Sequence, residues 1–368
     1  MGGLKVIGVT SGIGSLQYGF QQAGFQIEHQ HEWRKYYDTG TFEKNFNKEY
    51  RETYEVDSKF KGVDVIVSHP ECGNYSNLYC GPNKSERQKD PGDIYKFMDL
   101  CKKYQPQFFL VDNLAKSLGA VSPFEWQTKF PEYDIHFEMV SNWGYGNVQK
   151  FRNRLFVIGS HKDLNYSFTP GEREHQNVTY DLIWDIEGGT PNHNKMKLGD
   201  LTQWSSYQVG GDKGTRKLTL EELQDWFINH NIPKKNLAYY NKKGELKNKP
   251  GYSIIDPYGT CPVLSGGGGF YDNQWIFDGY YRPLTMRERL RIQGFEDNFE
   301  LVPESFTWGD KAHQNQIKQT GKCMPVDFPR YFANQIKEFL SNGTLPEKGT
   351  KVIKQINLEE YVRYDDLL

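Results

Sequence analysis

This sequence predicts an α/β fold: a doubly wound, mostly parallel sheet accompanied by a second, smaller and irregular domain. Three observations carry that prediction. Residues 4–10 (LKVIGVT) form an apolar strand that turns through glycines into an amphipathic helix. Two further short apolar runs, 63–67 and 108–111, alternate with helical patterns and stop on polar or turn residues. Apolar runs of this length suit strands buried on both faces of a parallel sheet. The alternation then ends near residue 160, which marks a change of domain.

The elements follow in order. After the first strand, Ser11-Gly12-Ile13-Gly14 makes a turn in which glycine lets backbone N–H groups approach a ligand. A second strand, 26–31, ends at Glu32-Trp33, placing a carboxylate where such folds bind ribose hydroxyls. A short segment leads to Asp57. The stretch 62–76 (GVDVIVSHPECGNYS) reads as a strand that stops at Ser68-His69-Pro70 and presents Cys72 on the following loop. Ligands in parallel sheets sit just beyond the carboxyl ends of strands, where Cys72 falls. Residues 77–93 are polar and punctuated by Gly and Pro, and read as a long loop of the kind that acts as a lid.

A helix at 94–104 precedes the strand ending at Asp112-Asn113, which brings a second strand-end carboxylate near Cys72. Residues 134–140 and 155–159 form a hairpin-like pair, with Arg152 and Arg154 just before its second strand. From 162 to 281 Asn, Gly, Lys and aromatics dominate, only 218–229 reads as helical, and the stretch closes on a run of glycines after Ser265. Helical patterns resume at 285–295 and 325–340. The expected division is therefore 1–161 with 282–343, a separate domain at 162–281, and a charged tail at 344–368.

Composition narrows the function classes. At 368 residues the chain holds enough apolar surface for two domains. A net charge of −2 gives no global polycation, so any basic surface must be local. The five cysteines (72, 80, 101, 261 and 323) contain no CxxC pair, which indicates neither zinc nor a disulfide framework and suits a reducing compartment. No signal-peptide profile opens the chain, and no run approaches the 18 apolar residues of a membrane span. Met-Gly at the start does not make a myristoylation site, because Val6 stands where Ser or Thr is needed. The expected setting is cytoplasmic, in a bacterial or phage-infected cell, and the expected state is a monomer.

Taken together, the order of these landmarks resembles the cytosine-5 DNA methyltransferase family. The cofactor turn is similar to Ser11-Gly12-Ile13-Gly14, the Glu-Trp pair to Glu32-Trp33, and the nucleophile loop to Glu71-Cys72-Gly73-Asn74-Tyr75-Ser76. The family's Glu-Asn-Val strand end resembles Asp112-Asn113-Leu114, and its Gln-x-Arg-x-Arg resembles Gln149 with Arg152 and Arg154. The late motifs resemble residues 282–288 (RPLTMRE), Gln293-Gly294-Phe295 and residues 319–325 (QTGKCMP).

The resemblance implies a Rossmann-like methyltransferase core, S-adenosylmethionine as donor and double-stranded DNA as partner. It assigns the donor to Ser11, Gly12, Ile13, Gly14, Glu32, Trp33, Asp57, Pro70, Lys322 and Met324, and DNA contacts to Ser76, Gln149, Ser265, Gly266 and Gly267. It makes Cys72 the nucleophile that adds to cytosine C6, Asp112 the acid at N3, and Arg152 and Arg154 the groups holding the base and its phosphate. The base would leave the helix to react, and residues 162–281 would read the target.

Several positions depart from the family pattern. Glu71 replaces a proline beside the nucleophile, so its carboxylate is expected to raise the thiol pKa and the loop to lose stiffness. Asp112 is one methylene, about 1.5 Å, shorter than the usual Glu. Gly8, Thr10, Gly73 and Lys322 also differ. Three other readings stay open at this point: a DNA-binding relative without turnover, Cys-adduct chemistry on a modified pyrimidine or with another donor, and an RNA methyltransferase on the same fold.

Overall fold

The computed structural model describes residues 3–32, 40–48, 50–51, 62–76, 83–149, 152–171, 182, 238–240, 246–248, 253–255, 261, 263–264, 274–277, 281–283, 286–302 and 311–342. The chain divides into two compact units. One comprises Met1–Tyr145, Asn153–Arg173 and Pro325–Leu368; the other comprises Gly146–Arg152 and Glu174–Met324.

The first unit is built on a seven-stranded sheet in the order β3-β2-β1-β4-β5-β7-β6. Its strands are β1 (Lys5–Val9), β2 (Gln26–His31), β3 (Tyr50–Arg51), β4 (Val65–Ser68), β5 (Phe108–Asn113), β6 (Tyr133–Ser141) and β7 (Asn153–His161). From β3 through β5 neighbouring strands pair in parallel, and the β6–β7 hairpin adds to β5 with β7 antiparallel. The order reverses direction between β1 and β4, which makes the ends of those two strands the topological switch point. Both the glycine turn and the Cys72 loop leave the sheet there.

Why these residues make these strands is plain from burial. All four residues of β4 (VIVS) and all six of β5 (FFLVDN) are buried, as strands covered on both faces must be. Helix α4 (Gly92–Tyr104) lays Ile94, Phe97, Met98, Leu100, Cys101 and Tyr104 toward the sheet, where they join Ile66, Phe109 and Val111 in one core. α5 (Pro123–Lys129) opens on Ser122, whose hydroxyl accepts from the Glu125 N–H at 3.2 Å, with Pro123 in the first turn, and it buries Trp126. On the other side, α1 (Ser15–Gln22) packs against the last helix, Asp327–Asn342. That contact requires glycine at position 19: a Cβ there would lie 2.8 Å from the backbone of Val326 and Arg330.

Two short helices also belong to the unit among the described residues, α2 (Thr41–Phe46) and α3 (Lys84–Arg87). The latter falls inside the stretch expected to be all loop, of which residues 77–82 lie outside the described residues.

The second unit holds a two-stranded antiparallel ribbon, β8 (Ala238–Tyr240) with β9 (Leu246–Asn248). It also holds a three-stranded sheet of β10 (Ser253–Ile255), β11 (Gln274–Phe277) and β12 (Tyr281–Pro283). Helices α6 (Met286–Ile292) and α7 (Lys311–Lys322) belong to it, while α8 (Asp327–Asn342) belongs to the first unit. The expected boundary therefore differs: residues 282–324, assigned above to the first domain, cluster with the second. The reason is local packing. Ile292 shares a small core with Val148, Cys261 and Leu264, and α6 packs on α7. The helix expected at 218–229 and the tail from 343 lie outside the described residues.

Candidate active site

The glycine turn after β1 is held from below. Gly12 (φ 62°) and Gly14 (φ 85°) occupy the left-handed region, where glycine carries no Cβ penalty, and Gly14 caps α1. The Gly12 N–H donates to Glu32 Oε2 at 3.2 Å, and its carbonyl accepts from Gln30 Nε2 at 2.6 Å. Gln30 in turn accepts from Gln17 Nε2 at 2.9 Å. The Gln17 side chain runs where a side chain at Gly8 would be, 1.6 Å from a Cβ built there. The departure at Gly8 thus has a physical counterpart: the space is taken by a buried glutamine.

Thr10 also sits at φ 52°, uncommon for a β-branched residue. Its N–H donates to His31 O at 2.8 Å and its hydroxyl to Val9 O at 2.7 Å. Ser11, Ile13 and Glu32 are buried, and among the described residues Ser11 Oγ and Gln17 Oε1 have no hydrogen-bond partner.

At the end of β4 a charged cluster forms. Strand register explains its convergence. Ser68 pairs with Val111, so His69 and Asp112 are neighbours one step further along parallel strands. Asp112 pairs with Phe156 on β7, and Arg154, two residues before Phe156, shares its face. Arg154 holds the Asp112 carboxylate with both edges of its fork, Nε to Oδ1 and Nη2 to Oδ2, each at 2.9 Å. His69 Nδ1 hydrogen-bonds Asp112 Oδ2, and Arg154 Nη2 lies 3.5 Å from the same nitrogen. All three are buried, with Asp112 at 0 % exposure.

Cys72 stands beside this cluster, partly exposed, at the head of a 3-10 turn (Gly73–Tyr75). Its loop is tied down despite lacking the family's proline. Tyr75 Oη donates to Asp90 O at 2.7 Å, and Gly73 N–H donates to Glu71 Oε1 at 3.0 Å. Glu71 thus caps its own loop and supplies an internal brace, where loss of stiffness was expected.

Charges set the protonation states. Burial alone would push the Cys72 thiol up. The positive charge of Arg154, then the hydrogen bond and charge of His69, outweigh it and bring the thiol down to about 6, with Glu71 opposing. Glu71 does raise the thiol as expected, but Arg154 and His69 outweigh it in sum. Asp112 is held below the usual carboxylate range: burial opposes ionisation, but Arg154 and His69 overcome it. His69 is shifted upward because Asp112 and Cys72 together outweigh its burial. The other described cysteines (Cys101, Cys261, Cys323) are buried and pushed up.

One consequence is measurable directly. Alkylation of Cys72 by iodoacetamide will follow a pH profile with its midpoint near 6, about three units below an ordinary thiol's 9.0. Because the folded thiol's pKa lies below its unfolded value, this group's contribution to stability is present at alkaline pH. It is lost as pH falls through the folded value.

The remaining expected site residues divide. Asp112 and Arg154 join Cys72, but Asp112 is ionised with both oxygens engaged. In this arrangement it has no proton to give, unlike the N3 acid expected of it. Arg152 is buried within the second unit. Its Nη1 donates to Leu264 O at 2.7 Å, and its Nη2 to Cys323 O at 2.5 Å and Gly321 O at 3.3 Å. Gln149, expected at DNA, is also buried there. Its Oε1 accepts from Leu264 N–H at 3.1 Å, and its Nε2 donates to Gln293 Oε1 at 2.9 Å. Both side chains fasten the second unit's own backbone.

Met324 is fully buried and Lys322 half-buried, both in the second unit. Pro70 is buried and Ser76 closes the Cys72 turn, partly exposed. Trp33, Asp57, Ser265, Gly266 and Gly267 lie outside the described residues. His69 was not anticipated as a site residue. A histidine three positions before the cysteine, at the end of a buried strand, was the available signal, and it was read only as a strand stop.

A doubly wound sheet, a glycine turn after its first strand and an activated cysteine after its fourth define a Rossmann-like methyltransferase fold. Residues 4–338 match the C-5 cytosine-specific DNA methylase family, and the chain belongs to that family. It is a DNA methyltransferase of the cytosine-C5 class. Similar proteins include the type II methyltransferase M.FnuDI of Fusobacterium nucleatum, 26% identical over 96% of this chain and 99% of the relative. The type II methyltransferase M.NgoPII of Neisseria gonorrhoeae is 26% identical over 92% of this chain and 96% of its own length. The S. pombe Dnmt2 methyltransferase structure shares the fold, with a TM-score of 0.57 at 15% identity over 92% of this chain and 99% of that one. No helix among the described residues is long and apolar enough to cross a membrane.

Proposed function

We propose that the chain methylates C5 of cytosine in double-stranded DNA by covalent catalysis through Cys72, on a base turned out of the helix. The observation that carries this reading is the place of Cys72, partly exposed on the loop after β4 beside the buried His69–Asp112–Arg154 cluster, whose charges lower its thiol. C5 of cytosine is a poor nucleophile. When the Cys72 sulfur bonds to C6, the C5–C6 π pair becomes available at C5, and the ring gains electron density that Arg154, as a fixed cation, stabilises. Once C5 carries the methyl group, its proton passes to solvent water, the C–H pair re-forms the C5–C6 double bond, and the thiolate leaves C6 with the S–C pair, restoring the ring and the free nucleophile. A sulfur that is already a thiolate at neutral pH needs no base brought by the substrate. This argues against a relative that binds DNA without turnover.

The donor in this reading is S-adenosylmethionine, which when bound supplies an electrophilic methyl group. The turn after β1 fits such a molecule. Ser11 Oγ is a buried, unpartnered hydroxyl, Gly12 and Gly14 hold the left-handed backbone that forms the turn, and the Glu32 carboxylate sits buried just after β2. Ser11, Gly12, Ile13, Gly14 and Glu32 would hold it, with Pro70 beside the nucleophile loop. The second unit is the proposed reader of the DNA target, and the protein the proposed monomer.

Nucleoside mass spectrometry of genomic DNA from a methylation-free bacterium expressing the chain tests the proposal. A cytosine heavier by one methyl group is the expected product. Folded protein with no altered cytosine in that host would refute it.

A further inference from the structure

Nothing in the reaction as described says where the thiol proton of Cys72 goes, and the cluster narrows the choice. Asp112 has both oxygens committed, to Arg154 at 2.9 Å twice and to His69. Arg154 is a permanent cation. Glu71 turns its Oε1 onto the Gly73 N–H at 3.0 Å, within its own loop. His69 remains. It is 3 % exposed, it stands three residues before Cys72 across the Pro70 turn, its Nδ1 hydrogen-bonds Asp112, and it is one of the groups that lower the thiol.

We propose that His69 is the acid–base partner of Cys72: the imidazole accepts the thiol proton and, held by Asp112, keeps the nucleophile as a thiolate in an imidazolium–thiolate pair. This rests on the reading of Cys72 as nucleophile and extends it to a catalytic residue at the reacting sulfur. The step balances within the protein. The S–H bond breaks with both electrons left on sulfur, the proton moves to a ring nitrogen, and the net charge of the pair does not change. Asp112 then takes the orienting part rather than that of the acid, fixing the ring and stabilising its charged form, as a carboxylate does behind a catalytic histidine. Arg154 adds its charge to the thiolate side and prevents Asp112 from taking the proton itself. The charged and titratable groups facing His69 are Asp112 from β5, Arg154 from β7 and Cys72 from its own loop.

The test is the pH profile of iodoacetamide alkylation at Cys72, without DNA or donor, in the wild type and in His69→Asn. The asparagine amide can still donate to Asp112 but cannot accept the thiol proton and hold it. Chymotryptic peptides separate Cys72 from Cys80, since Tyr75 and Tyr79 lie between them. The expected result is a midpoint raised by at least about one pH unit and a rate at pH 6.5 lowered several-fold or more in His69→Asn. Superimposable profiles would overturn the proposal and leave His69 a structural residue.

Should His69→Asn not fold, NMR of the His69 ring in the wild type and in Cys72→Ser decides. An imidazolium persisting above pH 7 in the wild type, with a lower pKa in Cys72→Ser, supports the pair; a ring neutral throughout pH 6–9 overturns it. These readouts need no turnover. A thiolate pair without a methylated nucleoside would sink the proposed activity alone, and a methylated nucleoside with unchanged thiol profiles would sink the pair alone.

Discussion

Cys72→Ser will lower kcat/KM for methyl transfer by roughly 10⁴-fold or more, about 5 kcal/mol of transition-state stabilisation, while the protein stays folded. The size follows from the site. A serine hydroxyl is far less acidic than a thiol, and the cluster that brings Cys72 to about 6 cannot ionise it at neutral pH. The side chain is partly exposed and contributes little packing, so the thermal midpoint should move by no more than a degree or two. Single-turnover methylation on a DNA library, run beside a thermal melt, separates the two quantities. A variant retaining a tenth of wild-type turnover would mean that the reaction does not pass through Cys72.

Arg154→Gln is expected to damage both stability and the nucleophile. Asp112 is fully buried and ionised, and removing its bidentate partner leaves a buried charge paired only with His69. Breaking a buried pair on one side costs about 3–5 kcal/mol, enough to lower the melting midpoint by roughly 10 °C. The Cys72 thiol should rise at the same time, because Arg154 is the largest influence lowering it. With the thiol mostly protonated at pH 7, alkylation should slow by more than tenfold.

The pH dependence has a definite sign. The depressed pKa of Asp112 stabilises the fold above the unfolded carboxylate value, and that stability is lost as pH falls through the folded value. The variant should therefore lose more stability at pH 7 than at pH 3. Arg154→Lys keeps the charge but not the fork, so it should preserve the thiol profile better than the melting midpoint. Equal stability losses at both pH values would contradict the assignment of Asp112 as the ionised partner.

Much of the first unit could be read from residues because its strands are simple physical objects. β4 and β5 are short, apolar up to their polar carboxyl ends and followed by turns, a combination that suits a buried parallel strand. Their ends then put Cys72 and Asp112 together, and the two-residue period along β7 brings Arg154 to the same face. The Gly12 and Gly14 turn was legible because left-handed backbone leaves so few alternatives to glycine.

What escaped was direction and partnership. Arg152 and Gln149 stand in motif positions, but spacing along a chain does not say whether a polar side chain faces a ligand or its own backbone; here both turn inward. His69, adjacent to a proline, looked like punctuation until register set it against Asp112. α7 (KAHQNQIKQTGK) offers too few apolar residues to announce a helix, and the clustering of 282–324 with the second unit depends on contacts at Ile292 and Leu264 that no local pattern encodes.

Glu71 raises the thiol as its position suggested, but the net result escaped for a related reason. Its neighbour relation to Cys72 was visible, whereas Arg154 and His69, which outweigh it, come from elsewhere in the chain.

The covalent step is the central claim, and trapping it is the most direct test. Duplex DNA in which 5-fluorocytosine replaces every cytosine, incubated with the protein and S-adenosylmethionine, cannot release the adduct, because fluorine cannot leave C5 as the proton does. The account predicts a protein–DNA species that survives denaturation, requires the donor, maps to the Cys72 peptide and is absent in Cys72→Ser. Methylation of ordinary cytosine without any adduct on the fluorinated duplex, or an adduct on another residue, would contradict it.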